Sequence, residues 1–362
     1  MRDLGRPEQL IAYDSLLMLA RTRRQVITTD SSAIFLYDGK AGRVQVAGDF
    51  NGWTPTTDSL RSIGDGRRWY LQKGLPTASR VEYKFVVDSN WILDPLNSMT
   101  TAGGFGENSE IRMPGYSPPQ DVEPRPGSPR GRIDTLMIAS GLLDCEHPVY
   151  VYLPAKTRSN RQKLPSIIVT DGGEFLSLAK MNVVLDNLIA EERIPPVVAI
   201  FVDPRTRPGD AASNRRMTEY AMNDRFVSFL AQELLPQLRR KYHLADAPES
   251  TAIAGASMGG LIAAYASFRD PNVFGLCAAQ SPSLWWAKDS MLSLFRSSER
   301  KPIRLYIDTG TLHDAQAQAR EMRDILAGKG YDVSYGEYPE GHNWSNWRSR
   351  LATLLIFFWG KH

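Results

Sequence analysis

Between residues 251 and 268 the chain runs from a short β-branched and alanine-rich stretch, Thr251-Ala-Ile-Ala254, through Gly255-Ala-Ser257-Met-Gly259 into the helical stretch Leu261-Ile-Ala-Ala-Tyr-Ala-Ser-Phe268. A strand that enters a Gly-x-Ser-x-Gly turn and leaves as a helix admits few folds. The turn is so tight that only small residues fit beside the serine, and it lifts the hydroxyl above the edge of a parallel sheet. The surrounding pattern agrees. Strand-like runs at 149–153, 166–170, 197–202, 251–254 and 303–307 alternate with helical stretches at 223–241, 257–268, 314–328 and 344–359. That alternation predicts a mostly parallel sheet covered on both faces.

Ahead of this segment the period changes. Residues 6–24 read as a helix with an apolar face at Leu10, Ile11, Leu16, Leu17 and Ala20, open to packing on a domain or on a second subunit. From residue 31, short alternating runs at 33–37, 43–47, 69–71 and 81–87 are separated by Gly, Asp, Asn and Pro turns, the pattern of a small β-sandwich. Prolines 114, 118, 119, 124, 126 and 129 then break any period, as in a stiff extended linker. The expected organisation is a helical segment over 1–30, a sandwich over 31–114, a linker over 115–131 and an α/β domain over 132–362.

Composition narrows the partners. With 362 residues, 42% of them hydrophobic and 23% charged, the chain can bury two cores and is not disordered. A net charge of +3 gives no reason to expect nucleic acid or an anionic membrane as the main partner. Cys145 and Cys277 lie too far apart in sequence for a CxxC site and read as buried or idle thiols. The longest apolar runs, at 15–20 and 351–359, fall short of the ~20 residues of a spanning helix. No basic start followed by an apolar region suggests a signal peptide. The expectation is a soluble, cytoplasmic protein, or a periplasmic or secreted one if a leader has been removed.

A serine hydroxyl is a poor nucleophile at neutral pH and needs a base, an orienting acid and donors for the oxyanion. Ser257 is the candidate nucleophile. His342, in the glycine-containing loop Pro339-Glu-Gly-His-Asn343 between a late strand and the last helix, stands where an α/β-hydrolase places its base. The other histidines, His147, His243 and His362, read as packing or surface residues, and His313 as a loop residue. The acid should follow the strand at 303–307, where Asp314 is the first choice and Asp308 the competitor. The oxyanion donors expected are the N–H of Met258 and, in the loop Thr170-Asp-Gly-Gly-Glu174, that of Gly173, with Gly172 as the alternative.

These residues resemble the esterase D / enterochelin esterase family of α/β-hydrolases, which also includes feruloyl esterases and the mycobacterial antigen 85 acyltransferases. The resemblance covers 132–362. Asp171-Gly-Gly-Glu174 is similar to the family's oxyanion loop, Gly255 to Gly260 to its nucleophile turn, and Gly341-His-Asn-Trp-Ser-Asn-Trp347 to its histidine signature. Arg216-Met-Thr-Glu-Tyr220 and Ser281-Pro-Ser-Leu-Trp-Trp286 also resemble family segments. It implies a serine esterase without metal or cofactor, with Ser257 as nucleophile, His342 as general base and acid, and Asp314 as orienter. One departure is the acid, which stands one residue further from Gly310 than the family's Gly-x-x-Asp form.

Residues 31–114 resemble the immunoglobulin-like β-sandwich of isoamylase N-terminal and glycogen-binding modules, through Val46-Ala-Gly-Asp-Phe-Asn-Gly-Trp53, Tyr83 to Trp91 and Asp94-Pro95. That resemblance implies a glycan surface of Trp53, Lys84, Trp91 and Asn108, though Gly103-Gly104 replaces the larger apolar residue of glycogen binders. Trp285, Trp286 and Arg216 are candidates for contact with a small-molecule or polysaccharide ester. The first substrate expectation is a feruloyl-type ester on a carbohydrate. The alternatives are a siderophore-type serine lactone, acyl transfer to an alcohol, and a noncatalytic glycan-binding protein.

Overall fold

The computed structural model describes residues 6–64, 66–155, 163–207 and 210–360, which leaves His362 outside the described residues. It divides into two compact units. The first comprises residues 1–118 together with 310–314 and 338–346, and the second 119–309, 315–337 and 347–362.

In the first unit, strands β1 (Ile27–Thr28), β2 (Ser32–Asp38), β3 (Val44–Gly48), β4 (Arg61–Ile63), β5 (Arg68–Gly74), β6 (Arg80–Val87), β7 (Asn90–Ile92), β8 (Thr100–Gly103) and β9 (Gly106–Arg112) form two antiparallel sheets. One has the order β1-β2-β5-β4, and the other β3-β6-β9-β8 with β7 on β6. Alternation puts Phe35 and Trp69 of one sheet and Val46, Tyr83, Phe85 and Ile111 of the other into one buried cluster. Phe35 meets Tyr83 edge-on, with ring centroids 5.0 Å apart. The expected N-terminal helix spans Arg6–Arg23 and buries Tyr13, Leu17 and Ala20 against Ile27, Leu36, Ile63 and Tyr70.

The second unit is built on an eight-stranded sheet of β10 (Arg132–Ser140), β11 (Cys145–Leu153), β12 (Ser166–Thr170), β13 (Val198–Val202), β14 (Thr251–Ala256), β15 (Leu276–Gln280), β16 (Arg304–Gly310) and β17 (Asp332–Tyr338). Its order is β10-β11-β13-β12-β14-β15-β16-β17. β10 and β11 run antiparallel, whereas β13, β12, β14, β15 and β16 are parallel to one another. β12, β13, β14 and β15 are buried along their whole length, which is why they read as continuous apolar runs. Helix Met258–Arg269 packs on β14 and β15. The single helix expected over 223–241 is three pieces: Asp224–Ser228, a π-helical stretch Phe229–Leu234, and Leu235–Tyr242. Pro236, which has no N–H to donate, lies just past that stretch.

The proline-rich stretch is not a free spacer. The Asn187 side chain donates to the carbonyls of Asp121 and Glu123, and Arg193 binds Asp121 at 2.8 Å. Among the described residues no helix is long and apolar enough to cross a membrane.

Candidate active site

The serine turn belongs wholly to the second unit. Ser257 holds φ 58° and ψ −122°, a region that side chains other than glycine rarely occupy. Its N–H donates to the Gln280 carbonyl at 2.9 Å, and its carbonyl accepts from the N–H groups of Leu261 and Ser283, both at 3.0 Å. These bonds hold the strained residue in place. Gly255 and Gly259 crowd the Thr170 hydroxyl, and a methyl group on either would overlap it. The Ser257 Oγ lies 3.3 Å from the Ser283 hydroxyl. Met258, buried, opens the 12-residue helix that follows, so its N–H points from the positive end of the helix dipole.

Strand β12 ends in the second glycine loop. Asp171 takes a left-handed conformation (φ 53°, ψ 46°), and helix Gly172–Ser177 begins behind it. A side chain at Gly172 would overlap the Phe201 backbone, and one at Gly173 would come within 2.5 Å of the Asp203 carboxylate. Burial raises the Asp171 carboxyl above its ordinary value, opposed by the Arg216 guanidinium. Arg216 grips Asp171 through Nε at 2.8 Å and Nη2 at 3.0 Å, and Nη2 also reaches the carbonyl of Ala256 at 3.3 Å. The Tyr220 hydroxyl accepts from the Asp171 N–H at 2.9 Å. Arg216, expected at the substrate, is thus engaged in tying the Asp171 loop to the residue before Ser257. Its neighbours are engaged as well: Arg205 with Asp203 and Glu174, Arg207 with Asp210, and Arg215 with Glu219.

Trp285 is 54% exposed, while Trp286 is half-buried against the core, with the two rings edge-on at 5.8 Å. His147 is fully buried beside Phe226 and Phe229. Its Nδ1 bonds the Asp203 carbonyl, and its Nε2 faces Glu219 at 3.2 Å and the Cys145 sulfur at 3.5 Å. The spacing of this trio would suit a metal, but the Arg215 guanidinium already sits 2.7 Å from Glu219 and balances its charge. Cys277 is buried, and Cys145 is half-buried rather than isolated. His243 caps a helix in left-handed backbone.

The acid and base candidates belong to the first unit. His342 Nδ1 lies 2.6 Å from Asp314 Oδ1, and Asp314 Oδ2 accepts from the Gly310 N–H at 2.6 Å. The Asp314 side chain is fully buried, and that of His342 is 38% exposed. An imidazole whose Nδ1–H is held by a carboxylate presents its lone pair on Nε2, as a general base requires. Asp308 is bonded elsewhere: its Oδ2 accepts from Gln280 Nε2 at 3.0 Å. His313 is exposed and takes up positive φ next to Asp314.

The sandwich candidates are partly engaged too. Asn108 donates to Glu82 at 2.8 Å. The Trp53 indole N–H donates to Asp49 at 3.2 Å, and its ring stacks on Trp91 with centroids 6.5 Å apart. Trp91 is 48% exposed, and Lys84 is half-buried. Two buried charged residues of this unit, Asp49 in the turn after β3 and Arg80 at the start of β6, escaped sequence reasoning, because a charge in a turn or at a strand end reads as outward-facing.

A mostly parallel sheet with a strained Gly-x-Ser-x-Gly turn, and an Asp–His pair on the loops following two later strands of that sheet, define the α/β-hydrolase class. The Esterase family model matches residues 140–358, and the chain belongs to that family of enzymes acting on carboxylic ester bonds. It is 26% identical over 278 residues to the iron(III) enterobactin esterase of Escherichia coli O6:H1, covering 74% of this chain and 67% of that protein. The crystal structure of an enterobactin esterase from Shigella flexneri, determined in the presence of enterobactin, superposes with a TM-score of 0.76 at 22% identity, over 91% of this chain and 94% of that one. A ferulic acid esterase from Anaeromyces mucronatus gives a TM-score of 0.55 at 19% identity, over 66% of this chain and 95% of that one.

Proposed function

We propose that this esterase opens the ester bonds of a siderophore-type serine lactone bearing aromatic acyl groups. The observation that carries this reading is coverage. The likeness to the enterobactin esterase spans 91% of the chain, sandwich included, whereas that to the ferulic acid esterase stops at 66%. The feruloyl-type ester expected first therefore becomes the second reading. Arg205, Arg207, Arg215 and Arg216 are each paired with a carboxylate of this chain, so the reading does not draw on them.

The chemistry follows from the residues. His342 takes the Ser257 proton as the hydroxyl adds to the ester carbonyl, and the N–H groups of Met258 and Gly173 receive the oxyanion. Collapse expels the alcohol, which takes the proton from His342 and leaves an acyl-Ser257 intermediate. Water activated by the same imidazole then releases the acid. Asp314 keeps the ring in the required tautomer throughout.

The test is turnover of a catecholoyl-serine lactone, methyl ferulate and p-nitrophenyl acetate by wild type and Ser257→Ala. The expected result is preference for the lactone, lost in the variant. Preference for methyl ferulate would select the feruloyl reading, and product partitioning toward an added alcohol would select acyl transfer. No turnover, together with no labelling by a fluorophosphonate, would leave a noncatalytic binding protein.

A further inference from the structure

We propose that Asp49, carried by the β-sandwich, is the positioning residue that seats the His342 loop. Asp49 follows β3 and is 2% exposed. Its Oδ2 accepts from the Asn343 side chain at 2.9 Å and from the Glu82 N–H at 2.8 Å, while Oδ1 accepts from the Trp53 indole. On the other side of His342, Gly341 lies so close that a methyl group there would overlap the Asp49 side chain. The residues before and after the histidine therefore rest on one buried carboxylate, and three N–H donors hold that carboxylate still.

The seat extends along the loop. Asn343 Oδ1 accepts from the Asn346 N–H at 3.0 Å, and the Asn346 side chain donates to the Gly341 carbonyl at 3.0 Å. Glu340 is fully buried 3.9 Å from Arg80, a sandwich residue that also binds Glu82 and Glu110. The Glu340 carbonyl accepts from Leu312 and the Tyr338 carbonyl from Thr311, which fastens the Asp314 loop to the His342 loop. Leu312 in turn packs against the sandwich core. His342 itself is half-exposed, so its placement comes from these neighbours rather than from burial of the ring. Asp49 touches neither substrate nor reacting atoms; it acts through Asn343 and Gly341. This inference rests on the proposed reading of His342 as the base.

The experiment compares Asp49→Ala, Asn343→Ala, the double variant and His342→Gln. Three quantities are read: kcat and KM on the ester that wild type prefers, the melting temperature, and the downfield proton resonance of the His342 Nδ1–H bonded to Asp314, assigned by its loss in His342→Gln. Each single variant is expected to lower kcat on the order of 10- to 100-fold, with KM changed less than about twofold and the resonance shifted or broadened. The double variant should lower kcat by less than the product of the two single effects, because both substitutions break the Asp49–Asn343 bond. Should Asp49→Ala fail to fold, Asn343→Ala carries the test from the loop side. If His342→Gln is inactive while the folded single variants keep wild-type kcat and resonance, the inference alone falls. Full turnover by His342→Gln would remove the proposed mechanism and this inference together.

Discussion

The carboxylate of Asp314 lies 2.6 Å from His342 Nδ1, and the competing acid, Asp308, bonds Gln280 instead. Asp314→Asn should therefore lower kcat by roughly 10²- to 10⁴-fold, since an amide no longer selects the Nδ1–H tautomer. Asp308→Asn should leave kcat within about tenfold and register in the melting temperature. Steady-state kinetics of the two variants check the assignment, and a larger kcat loss in Asp308→Asn would reverse it.

Gly255 has no room for a side chain, because a methyl group would overlap both the Thr170 hydroxyl and the Gly259 carbonyl. Gly255→Ala should cost about 1–3 kcal/mol, the usual range for overpacking, and should also displace Ser257. The midpoint of chemical denaturation and the rate of fluorophosphonate labelling would both fall. A fully stable, fully labelled Gly255→Ala would mean that the turn is looser than described.

Arg80 is buried among Glu82, Glu110 and Glu340. Arg80→Met would remove the cation that three buried carboxylates share, although Glu110 keeps Arg112, at a cost of about 3–5 kcal/mol by analogy with other broken buried pairs. The pH dependence has a definite sign. Burial pushes the Glu110 carboxyl up, but Arg80 and Arg112 outweigh it and hold it below its ordinary value. Such a group stabilises the fold above its unfolded pKa, and that contribution disappears as pH falls through the lower folded pKa. The stability gap between wild type and Arg80→Met should accordingly be widest near neutrality and narrow below about pH 4, as urea melts across pH would show.

Trp53 and Trp91 stack on each other, yet only Trp53 bonds Asp49. Trp91→Ala should leave stability within about 0.5 kcal/mol and turnover unchanged, as at other surface sites. Trp53→Ala removes a hydrogen bond to a buried carboxylate and should cost on the order of 1–3 kcal/mol. Affinity electrophoresis in polysaccharide gels measures the alternative role: retardation of wild type, lost in Trp91→Ala, would establish a glycan surface.

Much of the fold was legible because it is local. The run into and out of Gly255-Ala-Ser257-Met-Gly259 specifies strand, turn and helix within eighteen residues, and alternation over 81–87 specifies a half-buried strand. The edge strand β10 was harder to read, since it is exposed along most of its length and carries Ile133 and Met137 on its exposed side, which blurs the alternation. The break in the helix after residue 228 comes from a π-helical stretch that helical periodicity does not reveal.

Ser257 and His342 were named from their sequence settings, since a tight glycine turn and a glycine loop before a helix are features of neighbouring residues. Partnerships across the chain were not. Asp171 and Arg216 are 45 residues apart, Glu82 and Asn108 are 26 apart, and Asp49 and Asn343 are 294 apart. Local chemistry wrote the strands, the turns and the reactive residue types into the sequence, because those depend on backbone preference and periodicity. Whether Asp308 or Asp314 meets the histidine, whether Arg216 faces a ligand or a carboxylate, and what holds the His342 loop depended on which distant groups the folded chain brings within about 3 Å, the range over which hydrogen bonds act.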